Sequence, residues 1–126
     1  ISPNKWTSMM QQELAAGSWK VIAEARESGN VGIYRPNGTA HTALVRRILA
    51  KVKLEDILWE APQKPQQVWF LKQFGANVNL GNIGPHDVIP LECLRLGLRG
   101  DTFFDNLPEA VAEGVRQIPA DEILDD

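Results

Sequence analysis

Three segments rich in β-forming residues carry polar side chains at or near their ends. WKVIAEA (19–25) has Glu24 next to last, DILWEA (56–61) has Glu60 next to last, and NVNLGN (77–82) contains Asn79. Alternate residues of a strand share a face, so Lys20, Ile22 and Glu24 lie on one side and Val21, Ala23 and Ala25 on the other; Leu58 goes with Glu60. By that parity Glu24, Glu60 and Asn79 point toward one interior at the C-terminal ends of their strands. Arg26 follows one pleat above Glu24, and Lys64 stands just past Glu60. Two carboxylates in such a place suit a hard cation such as Mg2+, which takes one or two of them together with waters and substrate oxygens. Arg26 and Lys64 would answer an anion. The competing reading is structural: Glu24 paired with Arg26 or Lys20, and Glu60 with Lys64, as ion pairs. Residue types and spacing leave both open.

LGNIGP (80–85) is a glycine-bearing loop that leads toward a helix N-terminus. Gly81 and Gly84 leave room for a bound group, and Pro85 gives up an amide that an early helical position does not use. The first N–H groups of the helix, with its dipole, favour a phosphate. An ordinary strand-to-helix turn is the alternative.

The elements that must position these residues follow from periodicity. A helix is expected from Pro3 to Ala16, with Trp6, Met9, Met10 and Leu14 three or four apart and Gly17 closing it. The strand at 19–25 then runs into RESGNVGIYRPNGTA (26–40), a long Gly-, Asn- and Pro-rich loop of the kind that carries function. Thr39 or Thr42 can cap the next helix, whose Leu44, Val45, Ile48 and Val52 face inward while Arg46, Arg47, Lys51 and Lys53 face out. After the strand at 56–61, stopped by Pro62, a helix runs from Gln66 to Phe74 and closes on Gly75. The strand at 77–82 feeds a helix opened by Gly84 and Pro85 and carrying Val88, Ile89, Leu91, Leu94, Leu96 and Leu98. Residues 107–126 read as an acidic tail with room for a short helix, ending DEILDD.

Helix and strand alternate throughout, which demands parallel strands joined by crossover helices. No GxGxxG or Walker-type loop follows any strand, and polar residues stand at the strand ends, as in (β/α)8 barrels. A barrel takes about 250 residues. The expected fold is therefore α/β, the C-terminal half of a (β/α)8 TIM-type barrel over residues 1–106, comprising about strands 6 to 8, followed by the tail.

Composition narrows the function classes. A net charge of −3 with the 13 Lys and Arg scattered argues against nucleic acid. No apolar run reaches the roughly 18 to 20 residues of a membrane span, and ISPNKW has no signal-peptide pattern, so a soluble cytoplasmic protein is expected. One cysteine, Cys93, cannot form an intrachain disulfide, and two histidines, His41 and His86, are too few for a histidine metal cage.

VIAEARESG (21–29), EAPQKPQQ (60–67), NVNLGNI (77–83) and LECLRLGLRGDTF (91–103), in this order, resemble the phosphosulfolactate synthases. The resemblance implies a C–S lyase that adds sulfite across the double bond of phosphoenolpyruvate with Mg2+, giving (2R)-2-phospho-3-sulfolactate for coenzyme M or sulfolactate-type products. It makes Glu24 and Glu60 the catalytic and metal-holding candidates. Arg26, Ser28, Lys64, Asn79, Gly81, Asn82 and Gly84 become candidates for binding the phosphate and sulfite. The family's proton-transferring lysine lies upstream of the matched stretch, and Lys5 and Lys20 do not match it. The chain is therefore expected to need the N-terminal half of the barrel, or another copy of itself, to cover the strand at 19–25, and to form a homo-oligomer. A catalytically silent barrel relative acting as a binding or stress-related protein, or another enolate-type enzyme on the same scaffold, are the alternatives.

Overall fold

The computed structural model describes residues 2–25, 29 and 32–106. Chain order alternates as the periodicity predicts. Helix α1 (Pro3–Ala15) precedes strand β1 (Val21–Ala23), α2 (Thr42–Leu49) precedes β2 (Ile57–Glu60), α3 (Lys64–Phe74) precedes β3 (Leu80–Gly81), and α4 (Val88–Arg95) follows. Short 3-10 turns at Leu54–Asp56, Pro85–Asp87 and Phe104–Asn106 complete the described elements.

Local chemistry sets the ends of these elements. Ser2 caps α1, its hydroxyl accepting from the Lys5 amide at 3.3 Å, with Pro3 at the first helical position. His41 caps α2, rather than the Thr39 or Thr42 that the sequence offers. Its Nδ1 accepts from the Leu44 amide at 3.4 Å, while the Thr39 hydroxyl donates to Asn37 Oδ1 at 2.7 Å. Helix α3 begins two residues earlier than the apolar pattern alone indicates, because Pro65 suits a first turn. The last helix starts only at Val88, after the 3-10 turn, and stops at Arg95; Leu96 and Leu98 lie beyond it and are exposed.

The strands are parallel, ordered β1-β2-β3, with Val21 beside Ile57, Ala23 beside Trp59, Trp59 beside Leu80 and Glu60 beside Gly81. The two faces of the sheet differ. Val21, Ala23, Ala25, Ile57, Trp59 and Ala61 are buried under the helices, whereas Ile22 on the opposite face is 60% exposed and Leu58 half-buried. Period-2 alternation thus holds along both strands, and the described helices cover one face only.

Trp59 and Phe70 are fully buried with ring centroids 5.2 Å apart, and Phe74 stacks on the same indole at 6.3 Å. Leu44, Val45 and Ile48 of α2, Leu71 of α3 and Leu91 and Leu94 of α4 complete the layer, joined by Ile33 and Tyr34 from the loop after β1. Arg95 ties α4 to the chain entering β3 by donating to the carbonyls of Ala76 and Val78. Burial draws its guanidinium below the usual value, against the opposing charge of Glu92. Among the described residues no helix is long and apolar enough to cross a membrane. The tail at 107–126 lies outside the described residues.

Candidate functional site

The C-terminal ends of the three strands are tied by side chains as well as by the backbone ladder. Continuing the register by one residue sets Glu24 beside Glu60, on the face that the helices leave open. Glu60 is half-buried, and its Oε1 accepts the Ala25 amide at 2.8 Å. Asn82 reaches across from the end of β3 and donates to the Ala25 carbonyl at 3.3 Å. Its backbone is left-handed, with φ 55°, a conformation asparagine tolerates better than most side chains. Both backbone groups of Ala25 are therefore held by side chains from neighbouring strand ends.

Glu24 is exposed, and its carboxylate meets no partner among the described residues. Among the described residues neither Lys20 nor Lys64 pairs with these carboxylates. Lys20 donates to the Glu55 carbonyl at 2.7 Å and lies over the Trp19 ring. Lys64 pairs with Asp101 of GLRGDTF at 3.1 Å, both side chains being about half exposed. Arg26 and Ser28 lie outside the described residues.

Asn79 goes elsewhere. The register that sets Gly81 beside Glu60 puts Asn79 level with Leu58, and its amide donates to the carbonyls of Glu55 and Ile57, each at 3.3 Å. Parity assigns its face, but the paired part of β3 starts at Leu80, so Asn79 secures the opposite end of β2 rather than the rim.

The loop at 80–85 combines two features. A Cβ at Gly81 would stand 2.1 Å from Leu58 Cδ2, so a larger residue there would have to displace the half-buried Leu58 side chain on the open face. Beyond it, the backbone N–H groups of Asn82, Ile83 and Gly84 meet no acceptor among the described residues. The β2–β3 ladder stops because the Ala61 carbonyl, after its own amide has bonded to Gly81 O at 2.9 Å, accepts the Gln67 side chain at 3.0 Å. Asp87 stands at the mouth of this loop, its Oδ2 3.2 Å from where a Gly84 Cβ would lie.

Three rim residues escape the sequence reading. Gln66 and Gln67 are 2% and 3% exposed. Gln66 donates to the carbonyls of Gly29 and Gly38, at 2.6 and 2.9 Å, and accepts from the Gln63 amide at 3.0 Å. Tyr34 is buried and donates its hydroxyl to the Glu60 carbonyl; burial first, then the Glu60 charge, raises its pKa well above the ordinary phenol value. Gln63 and Gln66 form a reciprocal capping pair after Pro62 that an N-cap signal of Ser, Thr, Asp or Asn would not reveal. Nothing in the sequence marks the loop carbonyls that Gln66 serves.

Parallel strands, helices between them and polar groups gathered at the strand C-termini define an α/β protein of the kind that builds enzyme sites at that edge. The chain belongs to the family described as (2R)-phospho-3-sulfolactate synthase (ComA), whose model matches residues 1–101. It is similar to the phosphosulfolactate synthases of Methanothermobacter thermautotrophicus (43% identity, covering 81% of this chain and 40% of the relative) and Bacillus subtilis (44%, covering 82% and 41%). That of Methanocaldococcus jannaschii is 46% identical over 72% of this chain and 37% of its own length. The chain spans about two fifths of the length of the curated relatives it matches.

Proposed function

We propose that this chain forms the C-terminal part of a (β/α)8 barrel whose rim adds sulfite to phosphoenolpyruvate, giving (2R)-2-phospho-3-sulfolactate. Family membership supports the reaction class. The barrel reading is supported by a sequential β1-β2-β3 order with described helices on one face, since a doubly wound sheet carries helices on both. Completion of the barrel would also cover the free edge of β1, where Trp19 is 82% exposed beside a groove of about 380 Å³ lined by Trp6, Met9, Met10 and Ile22. Residues 1–106 would then be barrel, and 107–126 an appended tail.

The single observation that carries the site is the placement of Glu24 beside Glu60 on the open face, with neither carboxylate engaged by a described cation. Two like charges on adjacent strands repel, and a shared cation removes that repulsion. Among the described residues no cluster of three or more His, Cys, Asp or Glu exists. A pair of carboxylates with the remaining positions left to water and substrate oxygens is the donor set Mg2+ accepts. Glu24 and the Glu60 oxygen not bonded to Ala25 would hold it, directly or through water. Bound there, Mg2+ would supply positive charge for the substrate carboxylate as electron density moves onto it.

The sulfur lone pair of sulfite forms a bond to the methylene carbon, the double-bond electrons move toward the carboxylate, and a proton is then delivered to the phosphate-bearing carbon. Backbone N–H groups of Asn82, Ile83 and Gly84 donate to the phosphate. Lys64, exchanging its exposed pairing with Asp101, and Arg26 and Ser28 bind the remaining anionic oxygens. The proton comes from a general acid on the part of the barrel that precedes these strands. The test is to incubate the intact protein with phosphoenolpyruvate, sulfite and Mg2+. Loss of phosphoenolpyruvate that requires all three supports the reading, and loss independent of sulfite contradicts it.

A further inference from the structure

The hydrogen bonds of a parallel pair repeat every two residues, so the register of β2 on β3 fixes where the next one belongs. The Trp59 amide donates to the Asn79 carbonyl and the Ala61 amide to the Gly81 carbonyl, each at 2.9 Å. The next bond in the series would run from the Ile83 amide to the Ala61 carbonyl. It is not made. The Ala61 carbonyl accepts the Gln67 side-chain amide at 3.0 Å instead, and the Ile83 amide meets no acceptor among the described residues. Two side chains hold this end of the sheet open. Asn82, left-handed at φ 55°, turns the chain out of the ladder just before Ile83, and its side-chain amide is fastened to the Ala25 carbonyl at 3.3 Å. Gln67 supplies the donor that Ala61 would otherwise draw from Ile83. Both Ala61 and Gln67 are buried, so bulk water does not replace either partner. The Ile83 side chain is half-buried against the core, which keeps the residue in place while its amide stays unpaired.

We propose that Gln67 is a positioning residue for phosphate binding: by satisfying the Ala61 carbonyl it keeps the Ile83 amide, with those of Asn82 and Gly84, available to an anion. The identity of the anion rests on the functional reading above, and the role of Gln67 on the interrupted ladder. These donors precede the 3-10 turn at Pro85–Asp87 and the helix after it, so their freedom comes from the strand end and not from a helix terminus. Packing alone does not call for a glutamine here, because a methionine or leucine would fill the buried space without bringing a polar group into it. Without the Gln67 donor, the partner nearest in register for the buried Ala61 carbonyl is the Ile83 amide. An anion then competes with a ladder hydrogen bond, and its apparent affinity falls by the fraction of molecules in which that bond is open.

Gln67→Met and Gln67→Leu remove the donor without adding a charge to the core. The experiment follows amide exchange and amide shifts of the nitrogen-15-labelled intact protein, with inorganic phosphate as the probe, alongside KM for phosphoenolpyruvate. In the parent the Ile83 amide is expected to exchange freely without phosphate and to be slowed by it, with shifts at Asn82, Ile83 and Gly84. In both variants the Ile83 amide should be slow without phosphate. The phosphate dissociation constant and KM should each rise about tenfold, the scale of one hydrogen bond to a charged group, with kcat changed less than about threefold. A purely structural role would lower thermal stability and leave phosphate affinity and KM at the parent values, which overturns the proposal. A slow Ile83 amide in the phosphate-free parent overturns the open ladder, and this reading needs neither variant to fold. Phosphate that moves none of the amides from 82 to 84 in the parent overturns the phosphate site, and the role of Gln67 with it. Phosphate bound there equally by parent and variants overturns the role of Gln67 alone. If the parent consumes no phosphoenolpyruvate, the reaction assigned above fails, and the phosphate titration still decides the role of Gln67.

Discussion

Glu60 braces β1 and is proposed to hold a metal, and substitution can separate the two roles. Its Oε1 satisfies the amide of Ala25, a residue only 4% exposed, at 2.8 Å. Glu60→Gln keeps an oxygen within reach of that amide and loses the charge. A hydrogen bond to an ionised acceptor contributes about 1.5–3 kcal/mol and a neutral one about 1, so the expected loss of stability is about 1 kcal/mol. Glu60→Ala leaves the Ala25 amide without its acceptor and should cost about 1–3 kcal/mol. If the carboxylate also serves the metal and substrate, both variants lose that contribution in full. A metal-linked stabilisation of about 3 kcal/mol corresponds to about a hundredfold in turnover. The assay is therefore paired: denaturant unfolding of each variant, and kcat of the intact protein as a function of Mg2+. The expected pattern is a stability order of parent, Gln, Ala, with both variants about equally depressed in turnover. Parent-like kcat and Mg2+ dependence in Glu60→Gln would refute the catalytic role and leave Glu60 as a brace for β1.

Two further outcomes follow from the packing. Tyr34→Phe should cost about 1 kcal/mol at pH 8 through the lost bond to the Glu60 carbonyl. The parent hydroxyl is held protonated, so its contribution is fully present below the unfolded phenol value of about 10 and is lost as pH rises toward the raised folded value; alkaline unfolding curves should show a shallower fall in stability for Phe than for the parent. Gly81→Val should destabilise by at least about 1–3 kcal/mol, because its Cβ would meet Leu58 Cδ2 at 2.1 Å, and Leu58→Ala in the same chain should recover much of the loss. No recovery in thermal melts of the pair would locate the strain in the backbone instead.

The faces of β1 and β2 were readable because a period of 2 survives any error in strand length: Glu24 and Glu60 land on the open face whether the strand is three residues or seven. Asn79 shows the limit of parity. Its face is right, but which end of the sheet it serves depends on where pairing begins, and the amides and carbonyls around Glu55 decide that. Helix starts were harder to read than helix bodies. His41 caps α2 in place of a threonine because the Thr39 hydroxyl is already bonded within its own turn. Gln66 and Gln67 look solvent-bound by composition and are buried: Gln66 donates to loop carbonyls distant in sequence, Gly29 lying 37 positions before it, and Gln67 to the Ala61 carbonyl just past β2. The exposed residues Leu96 and Leu98 show the opposite error, an apolar pattern that runs past the helix it belongs to.

The most direct test is carbon-13 NMR of phosphoenolpyruvate labelled at its methylene carbon, mixed with sulfite, Mg2+ and the intact protein. The account predicts that the vinyl signal gives way to a saturated carbon bonded to sulfur, and that Glu24→Gln with Glu60→Gln abolishes the conversion while the protein remains folded. A persistent vinyl signal with the parent, or conversion at the parent rate by the double variant, would contradict it.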